Sequence, residues 1–572
     1  MPTMSGLVDA YQQHIRPASL LDDVAWVSAV DRVQGSTGLD LLAGDVAARL
    51  DGLGLEVTLR RYRPGYRWWS FTAPAARSAV TASLDLIDPA EPVTSYPGQS
   101  CSLARGSAST APRDIRVALL GADPRGALVL CPPQPRFALG ALTAQLHAAG
   151  AVAIAIESPA GGHGGDVVAR LELADGCPLV GFSLSPDQAA QLRARAGRLV
   201  RVTAVHDPAA DIPIVHARHH GDFGGPRALL IAHLCHPAPS ANDNGSGVAG
   251  LLAIAAAVNQ LWPPDSGPNI DLLLVPEMVG TAAYLRDIAL DGNGQQPSFV
   301  ISLDMIGVGK QLAFEDAPDH SPAPIAAALL AAHRHVRSGR PRARALRTRV
   351  VPFVGASDHL LFADRSIAVP SAHVSCGPDT AHHTSYDTIA RIDPGVLNDV
   401  TVTTAAAVSA LGLGNAAIAD IGPIHDVLTA QRLARIPDEP GAAAYRQVVS
   451  AAAAAEMAGW YSPSRSPGVL NPLPGMARDE QPIVRAWAGP WNLQNLTTAL
   501  PAAQQAALAE LLDPPGPGYA RLVGLAHALD GATGLTSLLT RARWATGLDI
   551  TADVATRFIG LMSEAGWVKT SD

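Results

Sequence analysis

Between about residues 205 and 415, continuous apolar runs alternate with long helix-like stretches, and this alternation constrains the fold more than any other feature. PRALLIAHLC, NIDLLLVPE, SFVISLDMIGV and IAVPSAHVSC read as strands, and SGVAGLLAIAAAVNQLW, APIAAALLAAHRHV and LNDVTVTTAAAVSALGL as helices. Strands without polar alternation belong to a sheet covered on both faces. The pattern predicts an α/β fold with a mixed, mostly parallel central sheet flanked by helices.

The chain is 572 residues long, which at about 150 residues per domain suggests about four domains. Residues 1–85 read as helices followed by a strand, because DVAARLDGLGLEVTLRRY is helix-periodic up to Leu53, breaks at Gly54 and then alternates. Residues 86–205 carry short apolar runs (DIRVALL, GALVLC, AVAIAI, PLVGFSL, LVRVTAV) between Gly- and Pro-rich turns, with two helix-like stretches. They read as a small, strand-rich inserted domain. The α/β unit spans 206–418, a Pro-rich linker or irregular helical segment 419–485, and three or four amphipathic helices fill 486–572.

Composition excludes several classes. No apolar run reaches the roughly 18 residues that span a bilayer. The N-terminus, MPTMSGLVDAYQQHIRP, lacks a basic start and an apolar stretch, so it does not read as a secretory signal. A net charge of −9 and a pI near 6.0 argue against nucleic acid as the main partner. The seven arginines from His333 to Arg349 read as a solvated helix face and loop. The five cysteines are scattered without a CxxC pair, which fits a reducing, cytoplasmic compartment. Any metal must then rely on histidines and carboxylates.

In an open α/β sheet, ligands bind beyond the carboxyl ends of the strands. ALLIA runs into His233, followed by Cys235 and His236; DLLLVP runs into Glu277; FVISL runs into Asp304. His382–Asp387 follows the strand ending near Cys376, and the loop around Asp243 leads into the helix at Val248. Taken singly, Asp243 could be a helix N-cap, His233 and His236 a satisfied pair, and Glu277 a turn residue. Asp304 is harder to dismiss, since a carboxylate inside an apolar run is costly if unpaired. Together they suit a divalent ion, with zinc the default for a mixed histidine and carboxylate hydrolytic site.

The ordered set resembles the zinc aminopeptidase family that includes leucyl aminopeptidases, glutamate carboxypeptidase and glutaminyl cyclase. The matching elements are His233 or His236, Asp243-Asn-Gly-Ser-Gly, Glu277-Met-Val-Gly280, Asp304-Met305, Gly355-Ala-Ser-Asp358-His359 and His383-Thr-Ser-Tyr386-Asp387-Thr. The resemblance covers roughly 1–85 and 205–415. It implies that Asp243 bridges two metals, with a strained peptide bond to Asn244. Asp304 and a strand-end histidine hold one ion and His383 the other. Glu277 acts as general base, ligand or both, and Asp358, His359, Tyr386 and Asp387 stand behind the ligands or near substrate. The inserted stretch resembles a protease-associated domain and the C-terminal stretch a winged helix-turn-helix, whose few arginines favour packing or oligomerisation over DNA binding.

Two departures matter. Cys235 occupies the aspartate position of the family's His-x-Asp motif, with His236 following, so either histidine could be the ligand. The family's paired glutamates are reduced to Glu277 beside Met278, which weakens the second metal site and leaves one or two zinc ions open. The expected activity is metal-assisted hydrolysis of an N-terminal or aminoacyl amide, on a peptide or small aminoacyl substrate. Aminoacyl transfer or cyclisation, and a non-catalytic binding protein on the same scaffold, are the alternatives.

Overall fold

The computed structural model describes the chain except residues 1–2, 76–77, 160–163, 223, 264, 290–295, 339–345, 413–417, 461–480, 532 and 571–572. Its centre is an eight-stranded mixed sheet. The strands are β1 (Glu56–Tyr62), β2 (Ile212–His219), β3 (Ala228–His233), β4 (Ile270–Val275), β5 (Phe299–Leu303), β6 (Gln311–Glu315), β7 (Arg347–Val351) and β8 (Ser371–Gly377), in the spatial order β1-β2-β4-β3-β5-β8-β6-β7. The central strands β4, β3, β5 and β8 run parallel, while β2 pairs antiparallel with β4 and β6 with β8.

The continuous apolar runs follow from burial on two sides. Along β3, Leu230 and Ala232 join one core layer and Leu229 and Ile231 the other. The first layer is closed by Pro17–Ser28, Thr37–Gly52, Gly247–Leu261, Ile325–Ser338 and Pro394–Gly412. The second is closed by the short helices Val279–Tyr284 and His359–Ala363 and by helices of the C-terminal region. Thr37–Gly52 stops where the sequence predicts, because Gly54 adopts φ 81°, a turn conformation that glycine takes without a Cβ clash.

Between β1 and β2 the chain builds a separate seven-stranded sheet spanning residues 78–207. Within it, the helix Pro186–Arg193 begins with a reciprocal cap between Ser185 and Gln188, the geometry encoded by Ser-Pro-Asp-Gln.

The segment read as linker or irregular helical carries two regular helices. Ile418–Arg435 and Ala442–Gly459 are helices of 18 residues each. Ala442–Gly459 is alanine-rich and free of proline, Ile418–Arg435 carries Pro423 within it, and the break falls at Pro437–Pro440. The Pro-rich stretch of 461–480 lies outside the described residues, as do 339–345 of the arginine run. The C-terminal region holds five helices between Leu493 and Glu564 rather than three or four, with a ribbon pairing Ile483–Arg485 to Val568–Thr570. It is docked on the α/β unit: Trp491 N donates to Asp364 Oδ2 (2.8 Å), Arg365 Nε to the His527 carbonyl (2.8 Å) and the Tyr519 hydroxyl to the Gly355 carbonyl (2.7 Å). Among the described residues, no helix is long and apolar enough to cross a membrane, and the five cysteines are unpaired and buried.

Candidate metal centre

Parallel register gathers the polar residues that end the apolar runs. His233 closes β3 level with Val275 at the end of β4, Glu277 follows two residues later, and Asp304 comes directly after β5. The loop after β8 brings His382 and His383 to the same rim.

Asp243 lies in the turn that precedes Gly247–Leu261, and its peptide bond to Asn244 is cis. Three groups hold this turn. The Asp387 carboxylate accepts from Asn242 N (2.7 Å) and Asp243 N (2.9 Å). The Asn244 side chain donates to the Leu303 carbonyl (2.8 Å) and accepts from Gly247 N (2.9 Å), stitching the turn to the end of β5. A Cβ at Gly247 would sit 2.3 Å from both Asn244 Oδ1 and the Leu303 carbonyl, so this close approach requires glycine. From the N-terminal segment, the buried Arg32 guanidinium donates to the Pro239 and Ser240 carbonyls, and its main chain exchanges hydrogen bonds with His236.

The result is two triads sharing one carboxylate. His233 Nε2 lies 3.3 Å from Asp243 Oδ1 and 3.4 Å from Asp304 Oδ1. On the other side, His236 Nε2 and His383 Nε2 each lie 3.0 Å from Asp243 Oδ2. In each triad the three ligand atoms lie within 4.8 Å of one another. The sequence left His233 and His236 as alternatives; the structure brings both to Asp243, on opposite oxygens. His236 thus joins His383 on the Oδ2 side of Asp243.

The donor set fits divalent ions. Asp243 Oδ2 and Asp304 Oδ1 are buried and receive no hydrogen bond, an arrangement costly without a cation between the groups. His236, Met278, Met305 and His383 adopt φ of 148°, 60°, 59° and 58°, a conformation non-glycine residues rarely take outside functional sites. Protonation states agree. Burial, then the Arg170 charge, push His236 well below the ordinary imidazole value and His383 down to about 3, so both are neutral, the form that can coordinate a cation. Burial opposes ionisation of Asp243 and Asp304, but the facing histidines outweigh it and hold both below the ordinary range. Burial also opposes a proton on His233, yet Asp304 and Asp243 keep its value raised, so filling its triad displaces a proton.

Glu277 is pushed up to about 7, first by burial; His233 opposes the shift and Asp358 adds to it. Its turn is fixed by Asp358, whose Oδ1 accepts from Met278 N (2.6 Å) and Thr281 Oγ1 (2.7 Å). Cys235 adds to this, its Sγ accepting from Glu277 N at 3.2 Å. Gln34 Nε2 donates to the Glu277 carbonyl at 3.0 Å. Two expected site residues point elsewhere. His359 Nε2 meets Glu315 Oε1 at 2.8 Å and the ring stacks on His373, while the Tyr386 hydroxyl donates to Asp166 Oδ1 of the 78–207 unit at 2.6 Å. His382, Arg32, Gln34 and Arg170 were not anticipated. Only His382, adjacent to His383 and 3.4 Å from Asp243 Oδ2, carried a local signal.

Residues 215–408 match the sequence profile of peptidase family M28, so the chain carries a domain of that family. The matched stretch contains every residue of both triads. No curated protein sequence matches the chain. The fold is similar to BSAP, a zinc aminopeptidase from Bacillus subtilis (17% identity, TM-score 0.51, covering 69% of this chain and 94% of that one). It is also similar to the peptidase M28 precursor of Shewanella amazonensis (16%, TM-score 0.54, 72% and 96%). A protein from Clostridium acetobutylicum assigned as a peptidase aligns along nearly the whole length (12%, TM-score 0.54, 99% and 98%).

Proposed function

We propose that the chain is a zinc-dependent aminopeptidase that hydrolyses the amide bond of an N-terminal or aminoacyl residue. The observation that carries this is the sharing of Asp243 by two triads at one rim of the sheet. His233, Asp243 and Asp304 would hold one ion and His236, Asp243 and His383 a second. When bound, zinc supplies Lewis acidity, bringing the acidity of water toward neutrality and polarising the scissile carbonyl. Glu277 takes a proton from the attacking water and returns it to the leaving amine, and burial, which raises its pKa, helps it to hold that proton between the two transfers. Two further regions border the rim. Val168 and Arg170 of the 78–207 unit bond to Ser385 and His383, and Tyr519 of the C-terminal region to Gly355. This enclosure favours a chain terminus over a through-running chain.

The test is a screen of aminoacyl arylamides with zinc-loaded wild type and Glu277→Gln. The variant should retain its zinc and lose about 10²–10⁴-fold in kcat; an active variant would remove Glu277 from the base role. Product masses from a peptide with N-terminal Gln separate hydrolysis, which adds water, from cyclisation, which releases ammonia.

A further inference from the structure

The C-terminal region reaches the metal rim through one loop of the α/β unit. Residues 352–358 run from the end of β7 to the helix His359–Ala363, and one residue of this loop is held from both sides. Gly355 N, together with Val354 N, donates to Glu315 Oε1 at the end of β6, each at 2.6 Å. The Gly355 carbonyl accepts from the hydroxyl of Tyr519, on the helix Pro515–Ala528, at 2.7 Å. Gly355 is buried at φ 71°, and a Cβ there would sit 2.6 Å from Leu360 Cδ1 and 3.3 Å from Val523 Cγ1 of that same helix. Only glycine lets loop and helix close to this distance. Phe353 adds a second contact, its ring centroid 5.0 Å from that of His527.

Asp358, three residues beyond Gly355, carries the constraint onward. Its Oδ1 accepts from Met278 N and Thr281 Oγ1 and so fixes the turn that bears Glu277. Two sets of hydrogen bonds and a short stretch of backbone thus connect Tyr519 to Glu277. The Tyr519 hydroxyl keeps its proton and remains a donor, because burial, then the charges of Glu277 and Glu315, raise its pKa, with Arg136 opposing. Without that donor a buried carbonyl loses its partner. A shift of about 1 Å in the group that meets the attacking water costs up to about 10²-fold in rate.

Resting on Glu277 as general base, we propose that Tyr519 is a positioning residue for the reaction: through Gly355 and Asp358 it fixes the turn that carries Glu277, so the C-terminal region completes the active site as well as packing against the sheet.

The experiment compares zinc-loaded, full-length wild type with Tyr519→Phe, which removes the hydroxyl and keeps the ring, and with Arg485→Gln. Arg485 Nη1 pairs with Asp364 Oδ1 at 2.8 Å, so its loss weakens docking of the C-terminal region without touching the loop. On an aminoacyl arylamide, Tyr519→Phe should lower kcat about tenfold, the size of one buried hydrogen bond, with KM and zinc content as in wild type. Arg485→Gln should lower Tm and keep kcat. Hydrogen exchange read by mass spectrometry follows the turn itself: segments 276–282 and 352–358 should exchange about tenfold faster in Tyr519→Phe and as in wild type in Arg485→Gln. Wild-type kcat in Tyr519→Phe, unchanged exchange at 276–282, or equal losses in Arg485→Gln would overturn the proposal. Exchange is read without turnover. Faster exchange at 276–282 in a protein whose wild type cleaves no arylamide, or whose Glu277→Gln variant stays active, would count against the aminopeptidase reading alone. Glu277-dependent cleavage that ignores Tyr519→Phe would count against Tyr519 alone.

Discussion

The two triads around Asp243 are built from different material. The His233 side is made at strand ends: His233 and Asp304 terminate neighbouring parallel strands, and two carboxylates face one imidazole. The His236 side is made from loops: His236 and His383, with His382 further out at 3.4 Å, face only the shared carboxylate, and the backbones of His236 and His383 sit at positive φ. More negative charge on a more rigid frame predicts tighter binding of a divalent ion on the His233 side. Met278 offers no carboxylate in the turn beside Glu277, while His236, from the loop after β3, faces Asp243 Oδ2.

The largest effect should come from the shared residue. Asp243→Asn weakens both sides at once and should leave less than about one zinc per chain by elemental analysis, with hydrolysis lost; two retained ions would separate the triads. Next comes the asymmetry itself. In a His236→Ala background, Met278→Glu should restore a second zinc, because a carboxylate returns to the turn beside Glu277. Failure to restore it in a folded double variant would mean that the turn does not face that position.

The pH profile tests the neighbourhood common to both sides. Glu277 is raised to about 7, chiefly by burial, so it is protonated and unable to act as base on the acid side, and kcat/KM should rise with pH. Bound cations lower this value, placing the acid limb of the zinc-loaded enzyme below about 7. A rate that stays flat between about pH 5 and 8 would remove the assignment. The smallest effect belongs to the stitch between the Asp243 turn and β5. Asn244→Ala strands the Leu303 carbonyl and Gly247 N and should cost about 1–3 kcal/mol of stability in urea unfolding.

Much of this site was legible because strand ends in a parallel sheet converge whatever the sequence between them. Runs that stopped at His233, Glu277 and Asp304 had to meet at one rim. The second triad was less legible. The position of His236 depends on a tight turn held by Arg32, some 200 residues away in the chain, and no local pattern encodes that contact. Arg170 and Gln34 were silent for the same reason. The regularity of the helices over 418–459 was obscured by prolines, one inside the first helix and the others between the two. The C-terminal helices read as amphipathic, yet which surface their apolar faces cover, here the second face of the sheet, is a property of the assembled fold.

The most direct test of the shared-carboxylate centre is the zinc content of purified protein, measured by native mass spectrometry for wild type and for His236→Ala. Two ions in wild type and one in the variant are expected, with the remaining ion on the His233 side. A single ion in both would contradict a second site built on His236.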